Sequence, residues 1–310
     1  MPTALGKGFF DRIRKHKFLY LLAAPGLLYF FLFDYVPMYG VLIAFQDFKP
    51  FAGVEQLLIH PNWIGLDNFK DFFNSYYFGR LLRNTLLISS YKLLFGFPAP
   101  ILLALLINEI YHNKFKRLVQ TISYLPHFLS IVIVSGLLYT LLSPANGPVN
   151  AIITASGGEA IPFLSSPDYF RSILVASDIW ASVGWGSIVY LAVLAGIDPG
   201  QYESARIDGA NRFQQMMSIS LPGMANIISI LFILAVGGIL NAGFQQVLLL
   251  YSPGVYNVGD IIDTFVYREG LINSRYSYAQ SVGVFKSLVG LLFLLITNYI
   301  VRRLGKEGIW

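Results

Sequence analysis

Three ionisable side chains lie inside long apolar stretches of the chain: Lys92, Asp178 and Lys286. A charged group is costly in a hydrocarbon layer, so such residues usually face the interior of a helix bundle or a water-filled path. Asp178 and Lys286 lie at similar depths in their stretches, which makes an ion pair between them geometrically possible. Two interpretations stay open: structural ion pairs with a lysine that reaches the membrane surface, or residues that line a transport path.

Three neutral polar side chains, Asn241, Gln245 and Gln246, interrupt another apolar stretch. If that stretch is one helix, Asn241 and Gln245 share a face, and Asn241 lies ~27 Å from the inner end, in the outer part of the bilayer. Neutral hydrogen-bonding groups suit a hydroxyl-rich ligand such as a sugar, and Trp180 or Trp185 would offer a stacking face. Hydrogen bonding between membrane helices is the alternative explanation.

Other kinds of chemistry are not indicated by the sequence. It contains no phosphate-binding Gly-x-x-x-x-Gly-Lys-Ser/Thr loop, so it does not hydrolyse nucleotides by itself. No nucleophile motif such as Gly-x-Ser-x-Gly is present, which argues against a membrane-embedded enzyme. There is no cysteine, and the four histidines lack the spacing of metal ligands, so we expect no metal site. The histidines are His16, His60, His112 and His127.

The composition identifies an integral membrane protein. Of the 310 residues, 55% are hydrophobic and 13% are charged, and the mean hydropathy is +0.59. Soluble domains carry about 25% charged residues. Several apolar runs reach the roughly 20 residues that cross a hydrocarbon core. We predict an all-α protein with six transmembrane helices, at about 18–45, 81–107, 119–142, 172–197, 223–250 and 281–301.

The basic residues predict the orientation. With both termini on the cytoplasmic side, the inner segments hold thirteen Lys and Arg and the outer loops hold five. Inner segments of membrane proteins carry such an excess. Residues 1–17 are therefore predicted to be a basic cytoplasmic segment, which precedes a single transmembrane domain, residues 18–310. The net charge of +5 does not indicate nucleic acid, because the basic residues lie beside the hydrophobic runs.

The most polar long stretch of the second half, residues 198–222, lies between two predicted spans on the cytoplasmic side. Asp198 and Pro199 suit the start of a short helix, and Gly209 permits a turn with positive φ that ends it. A second helix follows, and Pro222 marks its stop or kink. Its apolar face consists of Phe213, Met216, Met217 and Ile219. Such a pair is typical of a docking element, although an ordinary amphipathic surface pair is the alternative.

This stretch resembles the signature of the inner-membrane permease subunits of binding-protein-dependent ABC importers. That signature reads Glu-Ala-Ala, three residues, Gly, nine residues, then Ile-x-Leu-Pro. The matching residues are Glu203, Ala205, Gly209, Ile219, Leu221 and Pro222. Ser204 is the one departure, and a serine is small enough to keep a close helix contact. Asp208 and Ala210 flank the glycine as in the commonest variant of the motif.

Three further pieces resemble the oligosaccharide and polysaccharide branch of this family. They are residues 64–69 (Ile-Gly-Leu-Asp-Asn-Phe), residues 34–47 and residues 302–310. The resemblance implies the six-helix fold of type I ABC importer permeases, with a cytoplasmic pair of coupling helices. It also implies the bacterial cytoplasmic (inner) membrane as the location.

The resemblance further implies the function and the partners. The chain would form half of the path of an ATP-driven importer for an oligosaccharide or polysaccharide fragment. A second homologous permease would form the other half, and an extracytoplasmic solute-binding protein would deliver the sugar. Two copies of a separate ATPase would bind ATP and Mg²⁺, so this chain needs no cofactor. They would dock on Glu203, Ser204, Ala205, Asp208, Gly209 and Ala210. The alternative is an ion-coupled secondary transporter that uses Lys92, Asp178 and Lys286.

Overall fold

The computed structural model describes residues 14–49, 55, 59–306 and 308–309. Within these residues the chain is helical, and the only extended pairing is a single bridge between Gln46 and Trp63. Residues 1–13 of the predicted basic segment 1–17 lie outside the described residues, as do residues 307 and 310 of the C-terminal resemblance. The helices are α1 Lys17–Phe45, α2 Asp67–Asn74, α3 Phe78–Asn108, α4 Asn113–Phe128, α5 Ile131–Leu142, α6 Pro148–Ala155, α7 Pro167–Ala195, α8 Pro199–Ile207, α9 Arg212–Gly223, α10 Ala225–Gly237, α11 Phe244–Leu250, α12 Tyr256–Gly259, α13 Ile262–Tyr267 and α14 Tyr276–Arg303.

Among the described residues, four helices are long and apolar enough to cross a membrane: α1, α3, α7 and α14. Two bent pairs meet the same criterion together, α4 with α5 at 99° and α9 with α10 at 61°. Counting each pair as one span gives six. The predicted third span is therefore bent, and the bend lies at residues 129–130, directly after the 3-10 turn Leu125–Phe128. Pro126 in that turn lacks the N–H that would continue the α-helix.

The predicted fifth span, 223–250, is not one helix. Its first part, α10, ends at Gly237, and α11 begins only at Phe244. Gly243, just before α11, has φ of +90°, a conformation that a regular helix does not contain and that L-residues with side chains rarely adopt. Two helices of 13 and 7 residues thus stand in place of the predicted continuous span.

Close packing joins α3, α7 and the start of α10 at one end of the bundle. Ile101 and Leu105 of α3 lie in one buried cluster with Tyr190 and Leu194 of α7 and with Met224. The middle of α7 also packs tightly against α4, since a side chain at its Gly184 would overlap the backbone of α4. These contacts fix the direction of α7, the helix that carries Asp178, Trp180 and Trp185.

At the opposite end of α3 and α7, a buried polar network holds the segment that follows α11. The carboxylate of Asp260 is fully buried and accepts hydrogen bonds from Arg268 at 2.9 Å and from Arg80 at 3.3 Å. Asn84 donates to the Asp260 carbonyl at 3.0 Å and accepts from Arg171 at 2.8 Å. A buried charge persists only where it is paired in this way. The network therefore seats α12 and α13 on the first turns of α3 and α7.

Candidate functional site

The interruption between α10 and α11, residues 238–243, is the centre of the candidate site, and we call it the break. Asn241 lies in the break, whereas Gln245 lies in the first turn of α11. The expectation that Asn241 and Gln245 share one helical face is therefore wrong, as is the depth derived from a continuous helix. The sequence carried a signal for this, because Gly237, Gly238 and Gly243 stand within seven residues of one another.

Lys92 packs against one side of the break. Its ammonium donates to the side-chain amide oxygen of Gln246 at 2.8 Å and to the Asp178 carboxylate at 3.2 Å. Gln246 is buried and its amide nitrogen donates to Ser177 at 2.8 Å, so the amide is held in one orientation. A side chain at Gly243 would run into the Lys92 ammonium. The glycine thus leaves room for the cation beside the backbone of the break.

Lys92 is also the first residue of a π-helical turn, Lys92–Gly96, within α3. Such turns are frequent at functional sites, because they redirect side chains that a regular helix would place elsewhere. Lys92 is largely buried, with 12% of its side chain exposed, whereas 43% of the Asp178 side chain is exposed. In this ion pair the Lys92 ammonium is therefore shielded by protein, whereas the Asp178 carboxylate remains accessible from outside the chain.

Lys286 lies on the other side of the break and pairs with Asp263 of α13, at 2.6 Å. The ion pair between Asp178 and Lys286 that the sequence allows is not formed, because each residue has another partner on its own side of the break. Asp263 was not among the predicted site residues. It lies in a short polar stretch, and no local spacing relates it to Lys286, which is 23 positions away.

Cavities flank the break on both sides. One of about 330 Å³ is lined by Lys92, Asp178, Ser182 and Asn241, among others. Two larger ones, of about 630 Å³ and 520 Å³, are lined by Asp263, Lys286 and again Asn241. Asn241 thus borders all three cavities, and the two ion pairs face them from opposite sides. The cavities are therefore lined by hydrogen-bond donors and acceptors, and the charges of the two ion pairs, Lys92–Asp178 and Lys286–Asp263, cancel.

The two predicted stacking residues have different surroundings. Trp180 and Trp185 are equally exposed, at 47%. Trp185 stacks on His127 of α4, with ring centres 4.6 Å apart and planes at 5°. Trp180 follows Asp178 by two positions, which places it about 200° round the helix from that carboxylate. The tryptophans therefore lie on different faces of α7.

The 198–222 segment forms the local structure that the sequence predicts. Asp198 caps α8 by accepting a hydrogen bond from Gly200 N–H at 2.9 Å, and Pro199 occupies the first position. Gly209 has φ of +79° and ends the helix. Asn211 then begins α9 with a capping box, an additional start signal. The bend between α9 and α10 follows Pro222, as expected of a proline that interrupts the hydrogen-bond ladder.

The segment is anchored on one side and exposed on the other. The hydroxyls of Tyr202 and Ser220 are 2.9 Å apart, which ties α8 to α9. Arg212 lies 3.8 Å from the Glu109 carboxylate, and its guanidinium stacks over the Tyr111 ring at 4.7 Å. Among the predicted docking residues, Glu203, Ser204, Asp208 and Gly209 are exposed, and Ala205 and Ala210 are half-buried.

Comparisons with known proteins support the resemblance seen in the sequence. Residues 96–306 match the family profile described as "Binding-protein-dependent transport system inner membrane component". Protein LplB of Bacillus subtilis (strain 168) is 46% identical over 307 residues, which cover 98% of this chain and 95% of LplB. The polygalacturonan/rhamnogalacturonan transport system permease protein YteP of the same strain is 43% identical over 299 residues, covering 96% and 92% of the two chains.

The fold is also shared with solved structures. One is a chain of a bacterial ABC transporter involved in the import of the acidic polysaccharide alginate. It superposes with a TM-score of 0.88 at 43% identity, covering 96% of this chain and 99% of that chain. A second structure of a bacterial alginate ABC transporter, in complex with alginate pentasaccharide-bound periplasmic protein, gives the same TM-score of 0.88. The predicted class, an all-α type I importer permease fold, is confirmed.

Proposed function

Because the chain belongs to the family of binding-protein-dependent transport system inner membrane components, we propose that it is a permease subunit of an ATP-driven importer for an oligosaccharide or polysaccharide fragment. The observation that carries the substrate class is the polar break at residues 238–243, which is bordered by cavities and two ion pairs. Interrupted helices in membrane transporters commonly form substrate sites, because the freed backbone groups line a cavity. The relatives named for polygalacturonan, rhamnogalacturonan and alginate agree with a long sugar chain as the cargo.

In this proposal Asn241, Gln245 and Gln246 belong to the substrate path. Asn241 borders the cavities directly, and Gln245 is exposed at the start of α11. Gln246 acts indirectly, since it is buried and holds the Lys92 ammonium. The chain supplies half of the path, and a second homologous permease supplies the other half. A solute-binding protein outside the membrane delivers the sugar.

The exposed face of the 198–222 segment is the proposed docking site for an ATPase that binds ATP and Mg²⁺. Glu203 is exposed on this segment, as are Ile207, at 87%, and Phe213, at 66%. Large apolar side chains exposed beside charged ones are typical of a protein interaction surface. The excess of basic residues in the inner segments supports a cytoplasmic position for this face, with both termini on the same side.

The experiment replaces Glu203 by Lys in the assembled importer and measures co-purification of the ATPase. Reversal of a charge at a contact that becomes buried on docking is expected to weaken ATPase binding at least tenfold, since loss of a buried partner costs about 2–5 kcal/mol. Glu159→Lys is the matched control, because Glu159 is also exposed and lies in a predicted outer loop. Both variants should insert in the membrane and pair with the second permease.

Wild-type ATPase association in Glu203→Lys would contradict the docking proposal. The ion-coupled alternative has its own support in the two ion pairs within the apolar region. Vanadate separates the two functions, because it stops uptake that depends on ATP hydrolysis and leaves ion-coupled uptake running. Uptake that continues in vanadate would favour the alternative.

A further inference from the structure

The last turns of α14 carry a basic and aromatic surface at the end of a membrane span. A cavity of about 440 Å³ is lined there, among the described residues, by Leu295, Asn298, Tyr299, Arg302 and Arg303. Their spacing places them on one side of the helix, and we call this surface the α14 groove. The predicted span ends at residue 301, so the two arginines lie just beyond the hydrocarbon core. Tyr299 lies at its edge, where tyrosines of membrane proteins are enriched.

The two arginines of the α14 groove are exposed, and neither has a carboxylate partner among the described residues. The Arg303 guanidinium lies over the Tyr299 ring, 4.8 Å from its centre, and this contact holds the cation against the helix. Arg80 and Arg268, by contrast, share the buried carboxylate of Asp260. The groove therefore presents two positive charges whose counter-ion does not come from the described part of the chain.

The segment that follows α14 folds back along one side of the groove. The Ile309 N–H donates to the side-chain oxygen of Asn298, a buried residue, at 2.9 Å. Gly308 passes so close that a side chain there would overlap Asn298 and the stem of Arg302. Arg302 itself stays exposed. The segment thus packs on the Arg302 stem and leaves the residue accessible.

The same side of α14 is apolar and exposed where the helix crosses the membrane. Leu288, Leu292 and Leu295 are spaced by four and three positions and are 60%, 55% and 47% exposed. A water-soluble protein does not reach side chains at that depth of a spanning helix. A ligand that contacts both these leucines and the two arginines therefore combines an apolar body with an anionic head.

We propose that the α14 groove binds an anionic phospholipid of the adjacent membrane leaflet. The lipid phosphate accepts hydrogen bonds from Arg302 and Arg303, because guanidinium groups present paired donors that match phosphate oxygens. An acyl chain lies along the exposed leucines. A zwitterionic lipid also carries a phosphate, but its own cation offsets that charge, so the anionic headgroup is preferred. The groove shares no residue with the proposed transport path or the proposed ATPase docking site.

The test replaces Leu295 by the photoreactive residue benzoylphenylalanine in the assembled importer. The importer is placed in nanodiscs that contain equal amounts of phosphatidylglycerol and phosphatidylcholine, and lipid adducts are read as mass shifts on this chain after irradiation. One basic residue near an anionic surface favours binding about fivefold, so two predict a phosphatidylglycerol preference of about 30-fold at position 295. Position 288 is the matched control, because Leu288 is also exposed on this face but lies in the outer half of the predicted span. The two lipids should be captured about equally there.

Charge removal should reduce the lipid preference in steps. Arg303→Gln should lower the preference at position 295 to about fivefold, and Arg302→Gln combined with Arg303→Gln should lower it to about parity. Arg83→Gln is the matched control variant and should keep the wild-type preference. Arg83 is exposed and likewise has no carboxylate partner among the described residues, but it lies in the first turns of α3. The single variant Arg303→Gln keeps the test decisive if the double variant fails to assemble, since Arg303 packs only on Tyr299 among the contacts described above.

Three outcomes would overturn the lipid site. Equal capture of the two lipids at position 295 of the wild type would mean that the groove meets bulk lipid only. An adduct of protein size at position 295 would mean that the second permease or another subunit covers this face. Loss of the phosphatidylglycerol preference in excess inorganic phosphate would assign the two arginines to a soluble anion. A preference at position 295 that resists phosphate and falls with each arginine removed supports the proposal.

Discussion

Gly209 offers a graded test of the link between α8 and α9. Its φ of +79° lies in the left-handed region, and a side-chain carbon built there would meet nothing within 4 Å. Any cost of a substitution therefore comes from the backbone alone. Alanine in this conformation costs about 1–2 kcal/mol. Asparagine tolerates it better, and a β-branched valine resists it more strongly.

That cost has a defined consequence. If the turn must be formed for the ATPase to dock, 1–2 kcal/mol lowers the apparent affinity by a factor of about 5 to 30. We expect ATPase association to fall in the order Gly, Asn, Ala, Val at this position. The control is Gly136→Ala, since Gly136 lies inside α5 and a side chain there also meets nothing within 4 Å. That substitution should leave association unchanged, because alanine favours helix.

The assay is titration of the purified ATPase onto the permease complex in lipid nanodiscs, with binding and stimulated hydrolysis measured together. The wild type and the three variants at position 209 should also show similar thermal midpoints in the absence of the ATPase, since the turn is exposed. Equal ATPase affinities for Gly, Ala and Val would refute the reasoning. Such a result would mean that the turn need not hold its conformation for docking.

Two further predictions concern the ion pair and the topology. Asp178→Ala should lower the thermal stability of the complex more than Lys92→Met, by up to about 3 kcal/mol. Asp178→Ala leaves the largely buried Lys92 ammonium with Gln246 as its remaining described partner. Lys92→Met leaves the Asp178 carboxylate, whose side chain is already 43% exposed. A larger drop in melting temperature for Lys92→Met than for Asp178→Ala would contradict this prediction. Reporter fusions at Ser156 should report the outside and fusions at Asn211 the inside, and the opposite result at either site would refute the orientation.

The sequence by itself determined the class of protein and the local form of the 198–222 segment. Composition is sufficient for the class of protein, because apolar runs of about 20 residues are typical of helices that span a membrane. The second follows from short-range rules: Asp198 caps through a residue two positions away, and Gly209 meets a requirement of its own φ angle. The family signature rests on the same short spacing, and for that reason it was readable without a structure.

The site was decided by tertiary structure. The partners of the intramembrane charges are distant in the chain: Lys92 pairs with Asp178, 86 positions away, and also bonds Gln246, 154 positions away. Apolar patterning fixes the presence of a span but not its rotation or its neighbours. The pairing of Asp178 with Lys286 was therefore compatible with the sequence, although the structure does not form it. The break between α10 and α11 was likewise decided by tertiary structure. Glycines permit an interruption, but only the tertiary structure shows that Lys92 packs against Gly243 there.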